Sequence, residues 1–200
     1  MNNIIGLINY GIAGNIHSIK KAIEKAGGTV KLINHALEFE GVQKIVIPGV
    51  GSFKDAMSEL QKDDLIEPLK EALKSKPTLG ICLGMQILST LGFEYGRTEG
   101  LRAIDAEVKP MLVDAKVPHV GFNSIDVVKS NKLLVGLEHE EFYFMHSFEV
   151  VNYTNIASLT NYAGHKFVSS IHANNLYGVQ FHPEKSREVG IRLFQNFIAL

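Results

Sequence analysis

Short apolar runs alternate with stretches of helical spacing through the first half of the chain. Ile4–Ile8 is one such run; it ends at Asn9-Tyr10-Gly11 and reads as a buried strand followed by a loop. From Ala13 to Ala26 the spacing is helical. Ile16, Ile19 and Ile23 share one face, Lys20, Lys21 and Glu24 lie elsewhere, and Gly27-Gly28 stops the helix. Thr29–Ile33 and Lys44–Ile47 predict two more strands, the second stopping at Pro48-Gly49-Val50-Gly51. Phe53 to Lys74 predicts one or two helices with a break or bend at Pro68, Pro77–Ile81 another buried strand, and Leu83–Thr90 a helix. Strands alternating with helices predict right-handed crossovers and a mostly parallel sheet.

The second half changes character. Ala106–Val108, Ser124–Val128, Phe142–Met145, Phe167–Ile171 and Tyr177–Gln180 predict strands, and the loops between them carry Gly, Asn and Pro. This pattern predicts an antiparallel extension packed on the parallel sheet. A closing helix over Arg187–Ile198 presents Val189, Leu193, Phe194 and Phe197 on its apolar face. No internal repeat or Pro-rich linker interrupts the chain, so residues 1–200 are read as a single α/β domain.

Composition narrows the function classes. With 46% hydrophobic and 20% charged residues, the chain is neither disordered nor fibrous. The 20 basic residues against 21 acidic ones leave no global basic field, and no nucleic-acid partner is expected. Met1–Ile8 lacks a basic start, and no charge-free apolar run approaches the roughly 18 residues of a spanning helix; neither a signal peptide nor a membrane partner is expected. Cys82, the single cysteine, excludes an internal disulfide and any multi-cysteine metal site, and points to the reducing cytoplasm. His165 and His172, seven apart with no carboxylate between them, are poor metal ligands, so no metal is expected; with neither a Walker loop nor a G-x-G-x-x-G fingerprint, no cofactor is expected either.

The sharpest chemical signal is Gly80-Ile81-Cys82-Leu83-Gly84, a G-x-nucleophile-x-G turn between a strand and a helix. Such a turn projects the nucleophile from the end of the sheet beside a helix N-terminus, which favours a thiolate. The backbone N–H of Leu83 is then a candidate oxyanion donor. A thiol needs a base. His182 has the best context: in Gln180-Phe181-His182-Pro183-Glu184 an extended backbone turns His182 and Glu184 to the same side. A carboxylate there would orient the imidazole, although a surface His and Glu at a strand end fit the spacing equally well. His146, at the end of an apolar strand, reads as a structural histidine with a backbone able to touch substrate. The glycines of Pro48-Gly49-Val50-Gly51 let backbone N–H groups approach a ligand, but also suit a plain turn into a helix capped by Ser52.

Gly80–Gln86 together with Gly178–Glu184 resembles the class I (triad) glutamine amidotransferases. Asn9–Asn15, Pro48–Phe53, Val117–Asn123 and Tyr143–Phe148 narrow the resemblance to the glutaminase subunits of imidazole glycerol phosphate synthase. It covers nearly the whole chain, which departs from the family pattern at Asn9, Phe122 and Arg102. The resemblance implies a flavodoxin-like α/β fold and a Cys82–His182–Glu184 triad that releases ammonia from glutamine through a thioester. It further implies an oxyanion hole from Gly49, Val50, Gly51 and Leu83, and substrate contacts from Gln86, Glu94, His146, Ser147 and Phe148. Phe122 and Asn123 would face the partner, a separate β/α-barrel cyclase subunit in a heterodimer. The expected acceptor chemistry is imidazole glycerol phosphate formation in histidine biosynthesis; amination of a surface-polysaccharide sugar by a paralogous synthase is the alternative.

Overall fold

The computed structural model describes residues 4–11 and 15–200. The predicted helix start at Ala13, the Ile12–Gly14 part of the first loop motif, and Met1–Asn3 of the N-terminal start lie outside the described residues. The chain runs β1 (Ile4–Ile8), α1 (Ile16–Lys25), β2 (Thr29–Ile33), β3 (Lys44–Ile47), α2 (Phe53–Lys62), α3 (Ile66–Leu73), β4 (Thr78–Ile81) and α4 (Leu83–Gln86). It continues through β5 (Leu91–Gly92), β6 (Thr98–Glu99), β7 (Glu107–Pro110), β8 (His119–Ser124), β9 (Asp126–Val127), β10 (Glu141–His146) and β11 (Phe148–Val151). It closes with β12 (Ile156–Tyr162), β13 (His165–Ala173), β14 (Leu176–Val179) and α5 (Arg187–Ala199).

An eight-stranded sheet in the order β2-β1-β3-β4-β14-β13-β12-β9 organises the fold. It is parallel from β2 to β14 and antiparallel from β14 to β9. Every residue of β3, β4 and β14 is buried, so these central strands are covered on both faces. The antiparallel extension takes two forms. β13, β12 and β9 continue the sheet itself, while the antiparallel β10–β8 pair and a β11-β7-β5-β6 sheet, mixed because β5 and β7 run parallel, form beside it. Among the described residues no helix is long and apolar enough to cross a membrane.

Helix faces follow the predicted spacing. α1 buries Ile16, Ile19, Ala22 and Ile23, and α5 buries Gly190, Leu193, Phe194 and Phe197, with Val189 only half-buried. Three expectations need correction. The helical stretch after β3 breaks at Asp63–Leu65, where Asp64 takes φ 53°, and not at Pro68. Pro68 sits in the first turn of α3, where a missing N–H costs nothing. The helix expected over Leu83–Thr90 stops at Gln86. Its continuation is pre-empted because Leu101, Ala103 and Arg102 donate their N–H groups to the carbonyls of Ile87, Leu88 and Ser89. The strand expected over Ser124–Val128 is divided into β8, which begins earlier, and the short β9.

Candidate active site

β4 delivers Cys82 at the carboxyl end of the parallel sheet, the usual position for a ligand site in open α/β folds. Cys82 has φ 52° and ψ −110°, a strained conformation for a residue with a side chain. Its N–H is tied to the Val179 carbonyl at 2.7 Å, which fixes the elbow to the neighbouring strand. Gly84 is obligatory: a Cβ there would lie 1.9 Å from the Ile47 carbonyl oxygen. The sequence thus places a nearly buried thiol on a turn that the sheet itself holds under strain.

β14 lies beside β4, with Gly178 opposite Gly80 and Val179 opposite Ile81. The next residues leave the sheet toward Cys82 and bring in His182. Its backbone N–H donates to the Tyr143 carbonyl at 2.8 Å, hanging this loop on β10. His182 and Glu184 have fully buried side chains, and His182 Nδ1 lies 2.9 Å from Glu184 Oε1. The ionised carboxylate only accepts, so Nδ1 carries the proton and donates. Nε2 is buried and has no hydrogen-bond partner among the described residues. The Cys82 sulfur nevertheless acts on the imidazole electrostatically. Burial alone would lower the His182 pKa; the Cys82 charge, a side-chain interaction with Cys82, and Glu184 overcome this and push it up to about 10. The group is therefore set to hold a proton when the sulfur is an anion.

Asn15 adds a contact that the linear motifs do not reveal. Its Nδ2 donates to Glu184 Oε1 at 2.9 Å, the same oxygen that accepts from His182. Glu184 Oε2 has no partner among the described residues. Gln180, fully buried, directs Nε2 at the Cys82 sulfur at 3.5 Å, while its Oε1 accepts from Gln86 Nε2 at 3.0 Å. The alternation that singled out His182 and Glu184 also puts Gln180 on the same side; that was its available signal.

A pocket of about 230 Å³ opens over the thiol. Val50, Gly51, Leu83, Gln86, Glu94 and the His146–Phe148 segment line it together with Cys82 and His182. Gly49 packs behind this lining against Leu83 and the hydroxyl of Tyr10, which donates to the Pro48 carbonyl at 2.8 Å. Burial raises the Tyr10 pKa, so that donor stays protonated. Ser52 caps α2 by accepting from the Asp55 N–H at 3.1 Å, so the Gly49–Gly51 loop is also the lead-in to a helix. Glu94 Oε2 accepts from the Phe53 N–H at 2.8 Å, joining the pocket wall to that helix start. Desolvation raises the Glu94 pKa against that bond.

The two N–H groups of Gln86 are both engaged, one with Gln180 and one with the Phe148 carbonyl at 3.0 Å. That carbonyl also receives His146 Nδ1 at 2.9 Å. Desolvation lowers the His146 pKa to about 4, so its ring is neutral near neutrality and its Nε2 accepts from His119 at 3.3 Å. Phe122 and Asn123 lie outside the pocket on β8. Phe122 is 39% exposed, with the Arg187 guanidinium 4.5 Å from its ring centre, and Asn123 donates to the Asn161 carbonyl. Among the described residues no group of three or more His, Cys, Asp or Glu is placed to hold a metal ion.

Residues 7–200 match the family described as glutamine amidotransferase class-I. The chain belongs to this family. The amidotransferase is 42% identical, over 98% of its length and all of the relative's, to "Imidazole glycerol phosphate synthase subunit HisH 1" of Campylobacter jejuni strain RM1221. It is 40% identical, over 97% of its own length and 93% of the other's, to the HisH subunit of Desulfitobacterium hafniense strain DSM 10664 / DCB-2. Its fold is shared with a solved structure titled "Structure of PurLQS from Thermotoga maritima": TM-score 0.75, 16% identity, covering 100% of this amidotransferase and 99% of that chain.

Proposed function

We propose that this chain is the glutaminase subunit of an imidazole glycerol phosphate synthase, releasing ammonia from glutamine for histidine biosynthesis. The observation that carries the chemistry is the fully buried His182, braced by Glu184 through Nδ1 and lining the same pocket as Cys82. Cys82 attacks the side-chain amide carbon of glutamine. The oxyanion that develops is received by the Leu83 N–H and the Gly49–Gly51 loop, of which Val50 and Gly51 reach the pocket. His182 passes its proton to the leaving ammonia, which leaves a glutamyl thioester. Water, deprotonated by His182, then displaces the sulfur as glutamate, and the thiol regains its proton.

The hydrogen bonds of the far wall support its recognition of the amino-acid end of glutamine. Both N–H groups of Gln86 are used internally, so its free atom is an acceptor oxygen. Glu94 likewise has one carboxylate oxygen free of its Phe53 bond. Two acceptors fit the α-ammonium of the amino-acid end, with Ser147 and Phe148 alongside. The relatives' names support the histidine pathway as the destination of the ammonia, and nothing in the site favours a sugar acceptor. In this reading residues 1–200 act as one domain, in the cytoplasm, paired with a β/α-barrel cyclase. The exposed Val120 and Phe122 on β8, with Asn123 beside them, supply an apolar strip for that partner.

The test is glutamate release by the chain mixed with its cyclase and the cyclase's ribonucleotide substrate. Cys82→Ser should lower it by about three orders of magnitude or more. Synthesis driven by free ammonia should survive. A Cys82→Ser protein that kept its glutaminase rate would exclude Cys82 as the nucleophile.

A further inference from the structure

The mechanism above uses a base and an oxyanion hole but leaves one buried polar side chain at the sulfur unused. We propose that Gln180 is a further catalytic residue, whose amide N–H donates to the Cys82 sulfur and steadies the thiolate, and that Gln86 locks that amide in the donating orientation. The proposal rests on the reading of Cys82 as the nucleophile and deepens it.

One amide in this series of bonds cannot turn round. The Phe148 carbonyl is main chain and can only accept. Gln86 lies 3.0 Å from it and must therefore present its NH₂ end there. The same nitrogen is 3.0 Å from the Gln180 side chain, so Gln180 must answer with its oxygen. Its own NH₂ is then left pointing at Cys82 Sγ, 3.5 Å away, an ordinary distance for N–H···S. The reverse amide orientation would set two NH₂ groups against each other and an oxygen lone pair against the sulfur. Gln180 has no exposed surface, and its backbone N–H is held by the Ser169 carbonyl at 2.9 Å, so water offers no alternative partner. Each link follows from the one before, from a backbone carbonyl on the substrate side of the pocket to the nucleophile.

A donor of this kind favours the charged sulfur over the neutral one, because N–H bonds to an anion are stronger than to a thiol. It also gives Gln86 a second task. A residue that contacts glutamine would at the same time hold the donor that activates the attacking atom.

Cys82 is the chain's single cysteine, so alkylation by iodoacetamide, followed by mass spectrometry across pH, reports this sulfur alone without requiring turnover. Gln180→Met, of similar volume and without a donor, should raise the pH midpoint of alkylation by about one unit. If that variant does not fold, Gln180→Leu takes its place. Gln86→Met should raise the midpoint in the same direction by less, since the freed Gln180 amide can then turn its oxygen toward the sulfur. An unmoved midpoint in the donorless Gln180 variant overturns the proposal. A midpoint moved there but not in Gln86→Met overturns the locking role of Gln86. Failure of the nucleophile assignment itself would appear elsewhere, as glutaminase activity retained by Cys82→Ser.

Discussion

Replacing Glu184 with glutamine removes a charge and leaves the shape of the site almost unchanged. Glu184 Oε1 accepts from both His182 Nδ1 and Asn15 Nδ2, each at 2.9 Å. The new amide must keep its oxygen there, because turning it would set its NH₂ against two donors at once. His182 therefore keeps its proton on Nδ1 and its orientation in the site. What disappears is the difference between a charged and a neutral acceptor, in a place with no solvent exposure. A hydrogen bond to a charged group contributes about 1.5–3 kcal/mol and a neutral one about 1 kcal/mol, a difference of about 0.5–2 kcal/mol. At ~1.4 kcal/mol per decade, Glu184→Gln should lower kcat for glutamine hydrolysis about two- to thirtyfold, well short of the Cys82→Ser loss. The assay is steady-state glutamate release with the cyclase present. Asn15→Leu alone should cost only several-fold. Combined with Glu184→Gln it should cost more than the product of the two single effects, because the unbraced amide can then turn and force the wrong tautomer. A Glu184→Gln loss as large as that of Cys82→Ser, or a strictly multiplicative double variant, would refute this account of the brace.

Gly84→Ala would drive a Cβ to 1.9 Å from the Ile47 carbonyl oxygen, a backbone atom that cannot yield cheaply. A cost of about 3 kcal/mol or more should lower Tm by roughly 10 °C in calorimetry, whereas an unchanged melt would mean that the elbow is free to relax. His146 gives a pH prediction. Its folded pKa, pulled by desolvation from 6.5 to about 4, means that between those values the unfolded chain binds a proton the folded chain does not. Stability should therefore fall as pH falls through that window, by about 2–3 kcal/mol from this group at pH 4.5. Urea unfolding at pH 7 and pH 4.5 measures it. His146→Gln should show a correspondingly smaller acid loss, and an equal loss would remove His146 as its source.

The catalytic elbow was legible because its determinants are local: a buried strand, two glycines and a helix start lie within a few residues of Cys82. His182 and Glu184 were legible through alternation. Asn15 was not, because it meets Glu184 across 169 residues of sequence and carries no local sign of the contact. β12 went unseen for a different reason. It buries Ser158 and Thr160, which break the apolar pattern of a core strand. Their hydroxyls are satisfied by partners remote in sequence: Ser158 pairs with Ser170 at 2.6 Å and Ser169 at 2.8 Å, and Thr160 donates to the Ser124 carbonyl at 3.0 Å. β11 was hidden similarly by the buried Glu149, which meets His165 at 2.8 Å. Periodicity records burial only while burial and apolarity coincide, and they part wherever tertiary structure supplies the missing partner.

The pairing of β4 with β14 has a consequence for how the site tolerates change. The nucleophile leaves one strand and the base leaves its neighbour, a few residues past paired positions of one ladder. The gap between them is thus measured out in peptide units, and the side chains filling the core do not set it. Exchange of one aliphatic residue for another beneath the sheet leaves that ruler unmarked. Insertion or deletion of a single residue in either strand shifts one catalytic group past the other by a full step. Drift in the apolar interior is therefore cheap for this enzyme, while the lengths of two short strands are held fixed by the reaction they space.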